Sequence, residues 1–276
     1  MIKIMVDSAS DCEKDSGLFD MFVPLAVNIE GKEYRGGIDI DSDTFYSLLV
    51  NTKTFPRTSQ PAPDAFLEHF EKVKAAGDEL IYFALSSTLS GTYQSAVIAK
   101  SMVEYEGIHI IDTKTATHLV GILAEYASKL IKQGLTVGEI VEKCESLKSR
   151  IKVFAGLDTL EYLYRGGRLS KASAAVGEIA GIKPVVTVTE QGEVSPVGKA
   201  LGCGRAMQQI VEKLKASELD EEFPVFTLYT CGVDNCEKLE KKLAGEGYNI
   251  SARKQIGSVI GAHRGPEVYA VAFVIK

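Results

Sequence analysis

Leu80-Ile81-Tyr82-Phe83-Ala84-Leu85-Ser86-Ser87-Thr88-Leu89-Ser90-Gly91-Thr92 is the stretch that decides the fold. Leu80–Leu85 reads as a buried strand, and five hydroxyl side chains then follow within seven residues. From about Thr92 the positions Tyr93, Ala96, Val97, Lys100 and Ser101 keep helical spacing. A strand, a hydroxyl-rich loop and a helix start together make an anion site. The first helical N–H groups lack intrahelical partners, the helix dipole is positive there, and Ser or Thr oxygens cap or donate. The loop has no Lys, no metal ligand and no glycine fingerprint, so a carboxylate suits it better than a polyphosphate. The plainer reading is a helix cap, but five hydroxyls exceed what a cap needs.

Outward from this loop, strands and helices alternate through the first half. Strands are expected at Ile2–Val6, Phe22–Ile29, Leu80–Leu85 and Gly107–Asp112. Helices are expected at Ser42–Val50, Pro63–Ala76, Tyr93–Tyr105, Thr117–Gln133 and Thr136–Arg150. Asp43, Asp64 and Thr136 sit near helix starts, and Gly77 and Gly134 just past ends. The alternation predicts an α/β domain with a parallel sheet covered on both faces, three layers in all. In such sheets ligands sit beyond the carboxyl ends of the strands, where Asp7-Ser8-Ala9-Ser10-Asp11 and Ser86–Thr92 both fall.

The second half reads differently. Ile182–Val188 and Val194–Val197 flank a glycine-containing turn and read as a hairpin. A helix over Arg205–Ser217, a strand over Pro224–Thr230, a helix over Asn235–Ala244, and strands over Tyr248–Ile256 and Glu267–Ile275 follow. This pattern predicts an α+β domain with a mixed or antiparallel sheet. The division falls near Lys152–Asp158, giving units of 1–155 and 156–276 with a ligand in the cleft between them.

A formal charge of −6 gives no electrostatic reason to approach nucleic acid or an anionic membrane. No apolar run is long enough to span a bilayer, and Met1–Asp7 reads as a first strand rather than a signal peptide. The five cysteines, Cys12, Cys144, Cys203, Cys231 and Cys236, form no Cys-x-x-Cys pair, and no histidine stands at metal-ligand spacing. Reduced thiols, no metal and a cytoplasmic location are expected.

Four further segments carry polar chemistry. In Phe55–Pro63 three prolines stiffen a loop that would present Thr58 and Ser59, or simply lead into a helix. In Asp158–Ser170 a helix capped by Asp158 ends at paired glycines flanked by Arg165 and Arg168. Their guanidiniums suit a carboxylate or complement the helix dipole. Gly257–Pro266 reads as a glycine-rich loop between strands that holds His263. Lys183-Pro184 places a lysine in the cleft or at a sheet edge. No covalent catalyst emerges: G-x-S-x-G, G-x-G-x-x-G and the P-loop pattern are absent, and nothing in the spacing supports a Ser90–His263–Asp112 triad.

Taken together, these motifs resemble one family, the DegV family of bacterial fatty acid-binding proteins. The likeness is carried by Asp7–Asp11, Thr58-Ser59-Gln60-Pro61, Ser86–Thr92, Asp112-Thr113, Leu160–Leu163 with Arg165-Gly166-Gly167-Arg168, Lys183-Pro184, and Gly261–Pro266. They occur in the family's order and span nearly the whole chain. The resemblance implies a two-domain protein, not itself an enzyme, that holds one long-chain fatty acid with its tail in an apolar tunnel and uses no cofactor. It places the carboxylate on Thr58 and Ser90, with Ser87, Gly91, Arg165 and His263 as further head-group candidates. It also implies delivery of the fatty acid to a separate ATP-dependent fatty acid kinase. Glu267 departs from the small residue usual after Gly-Pro, and a carboxylate near the head group would repel it unless it turns to solvent or pairs with Arg264. The competing reading is a small-molecule enzyme that uses Ser90 or His263 on a carboxylate or phosphate substrate.

Overall fold

The computed structural model describes residues 1–169 and 181–276. Strands β1 (Ile2–Asp7), β2 (Met21–Val23), β6 (Glu79–Ala84) and β7 (Ile108–Asp112) form a wholly parallel sheet in the order β2-β1-β6-β7. Successive strand residues point to opposite faces. Met5, Leu80 and Tyr82 share an apolar cluster with Phe66 and Phe70 of α2 (Asp64–Ala76) and Ala96 of α3 (Thr92–Val103). Ile4, Val6, Ile81 and Phe83 belong to another cluster, with Leu123 of α4 (His118–Lys132) and Ile140 of α5 (Val137–Lys148). The uninterrupted apolar run at Leu80–Ala84 is therefore what a sheet covered on both faces demands.

The second sheet contains β8 (Ile151–Leu157), β9 (Ile182–Val188), β10 (Val194–Leu201), β11 (Phe226–Tyr229), β12 (Arg253–Gln255) and β13 (Val268–Val274). Its order is β10-β9-β8-β13-β11-β12, antiparallel except between β11 and β12. One face packs Val185, Tyr269, Val271 and Phe273 with α7 (Cys203–Lys215) and α8 (Asp234–Gly245). From the other face, Val153, Val186, Val268 and Ala270 join the large cluster that also holds β1, β6 and α4. The two halves are thus joined through a shared core. The chain leaves the first sheet after β7 and enters the second at Ile151, so the expected division at 155/156 falls inside β8.

Several local expectations need correction. Phe22–Ile29 is two strands. Pro24 has no N–H to give to a ladder; β2 ends at Val23, and β3 (Ala26–Ile29) enters a separate antiparallel sheet with β4 (Lys32–Arg35) and β5 (Arg57–Ser59). The β3–β4 hairpin turns at Glu30 and Gly31, whose φ angles of 53° and 77° match a primed two-residue turn. Tyr248–Ile256 contributes only the short β12.

Gly257–Pro266 is not an open loop: it contains helix α9 (Ser258–Arg264). Its glycine at 261 is a contact point, because a Cβ there would lie 2.4 Å from the Tyr46 hydroxyl oxygen. Asp41, rather than Asp43, caps α1 (Ser42–Asn51), accepting from the Thr44 N–H at 2.7 Å. α2 follows Pro63 with no side-chain cap, so Asp64 is not its cap. Thr136 and Glu139 form a reciprocal capping box at α5. Asp158 does not cap α6 (Glu161–Arg165); Thr159 Oγ1 accepts from the Glu161 N–H, and Asp158 pairs with Lys183 instead. Lys183 lies on β9, an interior strand of the second sheet, opposite Ala200 of β10. Ser170, the last residue of the Arg-Gly-Gly-Arg segment, lies outside the described residues.

Candidate ligand-binding site

Three sequence-distant segments meet at the carboxyl end of the parallel sheet. The edge of the small sheet brings Thr58, with β5 pairing to β3 through Val27 and Thr58. The β6–α3 loop brings Ser90, and α9 brings His263 and Arg264. These side chains, with Arg168 from the turn after α6, line one narrow pocket walled by Leu25, Leu85, Leu89, Ala116 and Leu163. Among the described residues, no Asp or Glu lines it.

Buried polar contacts fix this convergence. The carboxylate of Asp7, at the end of β1, accepts from the Ala9 N–H at 2.9 Å, the Tyr82 hydroxyl at 2.7 Å and the Leu85 N–H at 3.0 Å. It therefore ties the ends of β1 and β6 together, although burial raises its pKa above the ordinary carboxylate value. Gln60 donates to Ser95 Oγ at 3.2 Å and lies so near Gly91 that a Cβ there would sit 2.0 Å from Gln60 Oε1. Gly91 thus docks the Thr58 strand beside the start of α3.

The five loop hydroxyls divide into separate tasks. Ser86 and Thr88 donate to the Gly192 carbonyl at 3.1 and 2.7 Å, clamping the loop to the β9–β10 turn. Ser87 is exposed; its oxygen accepts from Lys114 Nζ at 3.1 Å and its N–H donates to Asp112. Ser90 and Thr92 hydroxyls meet at 2.8 Å, and the Thr92 N–H reaches Ser90 Oγ at 3.3 Å. Of these side chains, only Ser90 lines the pocket.

His263 is the best-placed polar group. It is 8% exposed, and its Nε2 lies 2.8 Å from Thr58 Oγ1. Desolvation, with the charges of Arg168 and Arg264, holds its pKa down to about 3, so the ring is neutral near pH 7. With the proton on Nε2 donated to Thr58 Oγ1, the threonine hydroxyl proton is free to point at a ligand oxygen. Nδ1 is buried without a hydrogen-bond partner. It faces Gly166, where a Cβ would lie 2.2 Å away. The Gly-Gly turn is therefore needed for close approach to the imidazole.

The two arginines of that turn part company. Arg165 is exposed, pairs with Glu161 at 2.7 Å and stacks over Phe55 at 4.3 Å, outside the pocket. Arg168 turns inward and donates to the Leu89 carbonyl at 2.9 Å and the Gly166 carbonyl at 2.5 Å. Glu267 is exposed and accepts from Asn235 Nδ2 at 3.2 Å, away from the pocket. Of the two arginines the sequence offered for a carboxylate, Arg168 is the one in the pocket, and Arg264 is the lining residue that sequence reasoning did not offer for the ligand.

A second pocket adjoins the first. It shares Ala116, Ile260 and Arg264 with it and is otherwise walled chiefly by Val153, Ala155, Val186, Val188, Leu228 and Val268. Each has a volume of about 30 Å³. A larger open cleft of about 680 Å³ lies elsewhere, lined by Asp11, Asp39, Asp41, Lys14 and Arg253, among others. Its mixed charges do not suit an alkyl chain.

Ser90, His263 and Asp112 do not assemble as a triad: His263 pairs with Thr58, Ser90 with Thr92, and Asp112 with Lys114 and the Ser87 N–H. Among the described residues there is no group of three His, Cys, Asp or Glu that could hold a metal ion. None of the described helices is long and apolar enough to cross a membrane.

The fold has clear counterparts among known proteins. The profile of the DegV family, described as uncharacterised proteins, matches residues 1–276. The chain belongs to the DegV family. It is similar to DegV domain-containing protein TTE1491 from Caldanaerobacter subterraneus subsp. tengcongensis, 37% identical over 281 residues, covering 100% of this chain and 99% of the relative. Among solved structures it is similar to a DegV family protein from Thermus thermophilus described by its fatty acid binding, 29% identical, with a TM-score of 0.88 and 99% of each chain covered. It is also similar to a stearic acid-binding protein from Eubacterium ventriosum, 26% identical, with a TM-score of 0.88 and 100% and 99% of the chains covered.

Proposed function

We propose that this protein binds one long-chain fatty acid, with its carboxylate at Thr58 and Ser90 and its tail in the apolar pocket. The observation that carries this reading is the pairing of two adjoining pockets: one is lined by two hydroxyls, a neutral imidazole and two guanidiniums, with no acid among the described residues, and the other is walled mainly by aliphatic side chains. The fatty acid binding of the Thermus thermophilus and Eubacterium ventriosum proteins supports the same reading.

The energetics agree. Burying about 14 methylenes is worth roughly 11 kcal/mol, against an association cost of about 4–15 kcal/mol. A desolvated carboxylate adds several kcal/mol of cost unless donors meet it. At about 30 Å³ each, the pockets hold one or two waters.

In this reading the protein is a carrier rather than an enzyme, and a separate ATP-dependent fatty acid kinase acts on the carboxylate it presents. All five cysteines are free, which suits the reducing cytoplasm. Native mass spectrometry of purified protein, followed by organic extraction, tests the proposal. One acyl chain per protein molecule is the expected result. Protein that carries no acyl chain and takes up none from a fatty acid mixture would refute it.

A further inference from the structure

Arg264 is the last residue of α9 and lines both pockets at once, where the head-group pocket meets the apolar one. Its guanidinium makes no hydrogen bond or ion pair with a described residue, and among the described residues no Asp or Glu lines either pocket. Part of the side chain stays accessible, yet the surrounding protein is dense enough for burial to pull its pKa down to about 10. Arg168 differs, since Nε and Nη1 are committed to the carbonyls of Leu89 and Gly166. His263 between them is neutral. The head pocket therefore holds positive charge without a facing anion among the described residues, and Arg264 keeps all five N–H donors free of described partners. A cation withdrawn from water without a counter-ion is costly, and a ligand carboxylate removes that cost.

We infer that Arg264 is the charge-selecting residue of this pocket: it pairs with the ligand carboxylate and makes the protein discriminate ionised fatty acids from neutral lipids with the same tail. The inference rests on the fatty acid reading given above and adds to it a specificity that hydroxyl donors alone do not supply. Thr58 and Ser90 can hydrogen-bond an alcohol nearly as well as an acid; a guanidinium cannot exchange a carboxylate for a hydroxyl without loss.

The test compares palmitate with 1-hexadecanol by calorimetric or fluorescence-competition titration on the full chain and on Arg264→Met, Arg264→Gln and Arg264→Lys. Loss of a charge-assisted bond predicts about a 10- to 100-fold drop in palmitate affinity for the Met and Gln variants. Hexadecanol affinity should be unchanged or higher, which also shows that the variants fold. Arg264→Lys keeps the charge and should retain most of the preference for the acid. A palmitate-to-hexadecanol ratio unchanged in Arg264→Met or Arg264→Gln would overturn the inference. Equal binding of both lipids by the unmodified protein would overturn it while leaving lipid binding intact; binding of neither would overturn the underlying reading as well.

Discussion

Replacing Thr58 with valine keeps nearly the same shape and removes one oxygen, so its consequences can be separated. In the free protein that oxygen sits 2.8 Å from His263 Nε2, within a ring that is 8% exposed. Removing it leaves the buried Nε2 unpaired, which costs about 1–3 kcal/mol of stability. This loss is the same with and without ligand and cancels from the affinity. What remains is the bond from the threonine hydroxyl to the carboxylate, a charge-assisted contact worth about 1.5–3 kcal/mol, or roughly 10- to 150-fold in Kd. Chemical denaturation should show the stability loss, and palmitate titration the affinity loss, in the same sample. A variant that loses stability and yet binds palmitate as tightly as the parent would mean that Thr58 only supports His263, and the proposed head-group position would be abandoned.

Ser90→Ala removes a pocket hydroxyl and the acceptor of the Thr92 N–H, and should weaken palmitate binding by about 1–3 kcal/mol in the same titration. Gly166→Ala puts a Cβ 2.2 Å from His263 Nδ1. It should lower stability by about 1–3 kcal/mol in a denaturant melt and reduce affinity as His263 is pushed toward Thr58. A third expectation concerns acid. His118 and His263 have pKa values held down to about 4 and about 3 by burial, below the ordinary 6.5. The unfolded chain therefore binds more protons than the folded one between those values, and the stability they contribute is full above about pH 6.5 and lost as pH falls. His118→Gln, which can still donate to the Gln255 carbonyl, should flatten the stability loss between pH 7 and 4.5 by roughly 2–3 kcal/mol. Parallel melts of the two proteins across that range would check it.

The β6–loop–α3 unit and both sheet types were legible because their signals are local: an uninterrupted apolar run, a hydroxyl cluster, and helical spacing after Gly91. The small sheet that carries Thr58 was not, because β4 and β5 are only four and three residues long and mostly exposed, and β3 reads as the continuation of β2. Helix α9 was hidden by its glycines, which ordinarily signal a loop; tertiary contact with Tyr46 decides otherwise. The sequence also could not say which arginine of Arg165-Gly166-Gly167-Arg168 turns inward. One clue was present: Glu161 stands four residues before Arg165, a spacing that pairs the two on an exposed helix face and leaves Arg168 for the pocket. Arg264 carried no pattern at all, since its importance depends on α9 ending where the two pockets join.

The most direct measurement of the central claim is ¹³C NMR of palmitate labelled at the carboxyl carbon, bound to the parent protein and to Thr58→Val. The account predicts one bound carboxyl resonance at a stoichiometry of one. It should stay in the ionised position well below the usual carboxylate pKa and shift in Thr58→Val. A resonance that titrates like free or micellar palmitate, or one identical in the two proteins, would contradict a carboxylate held in this pocket.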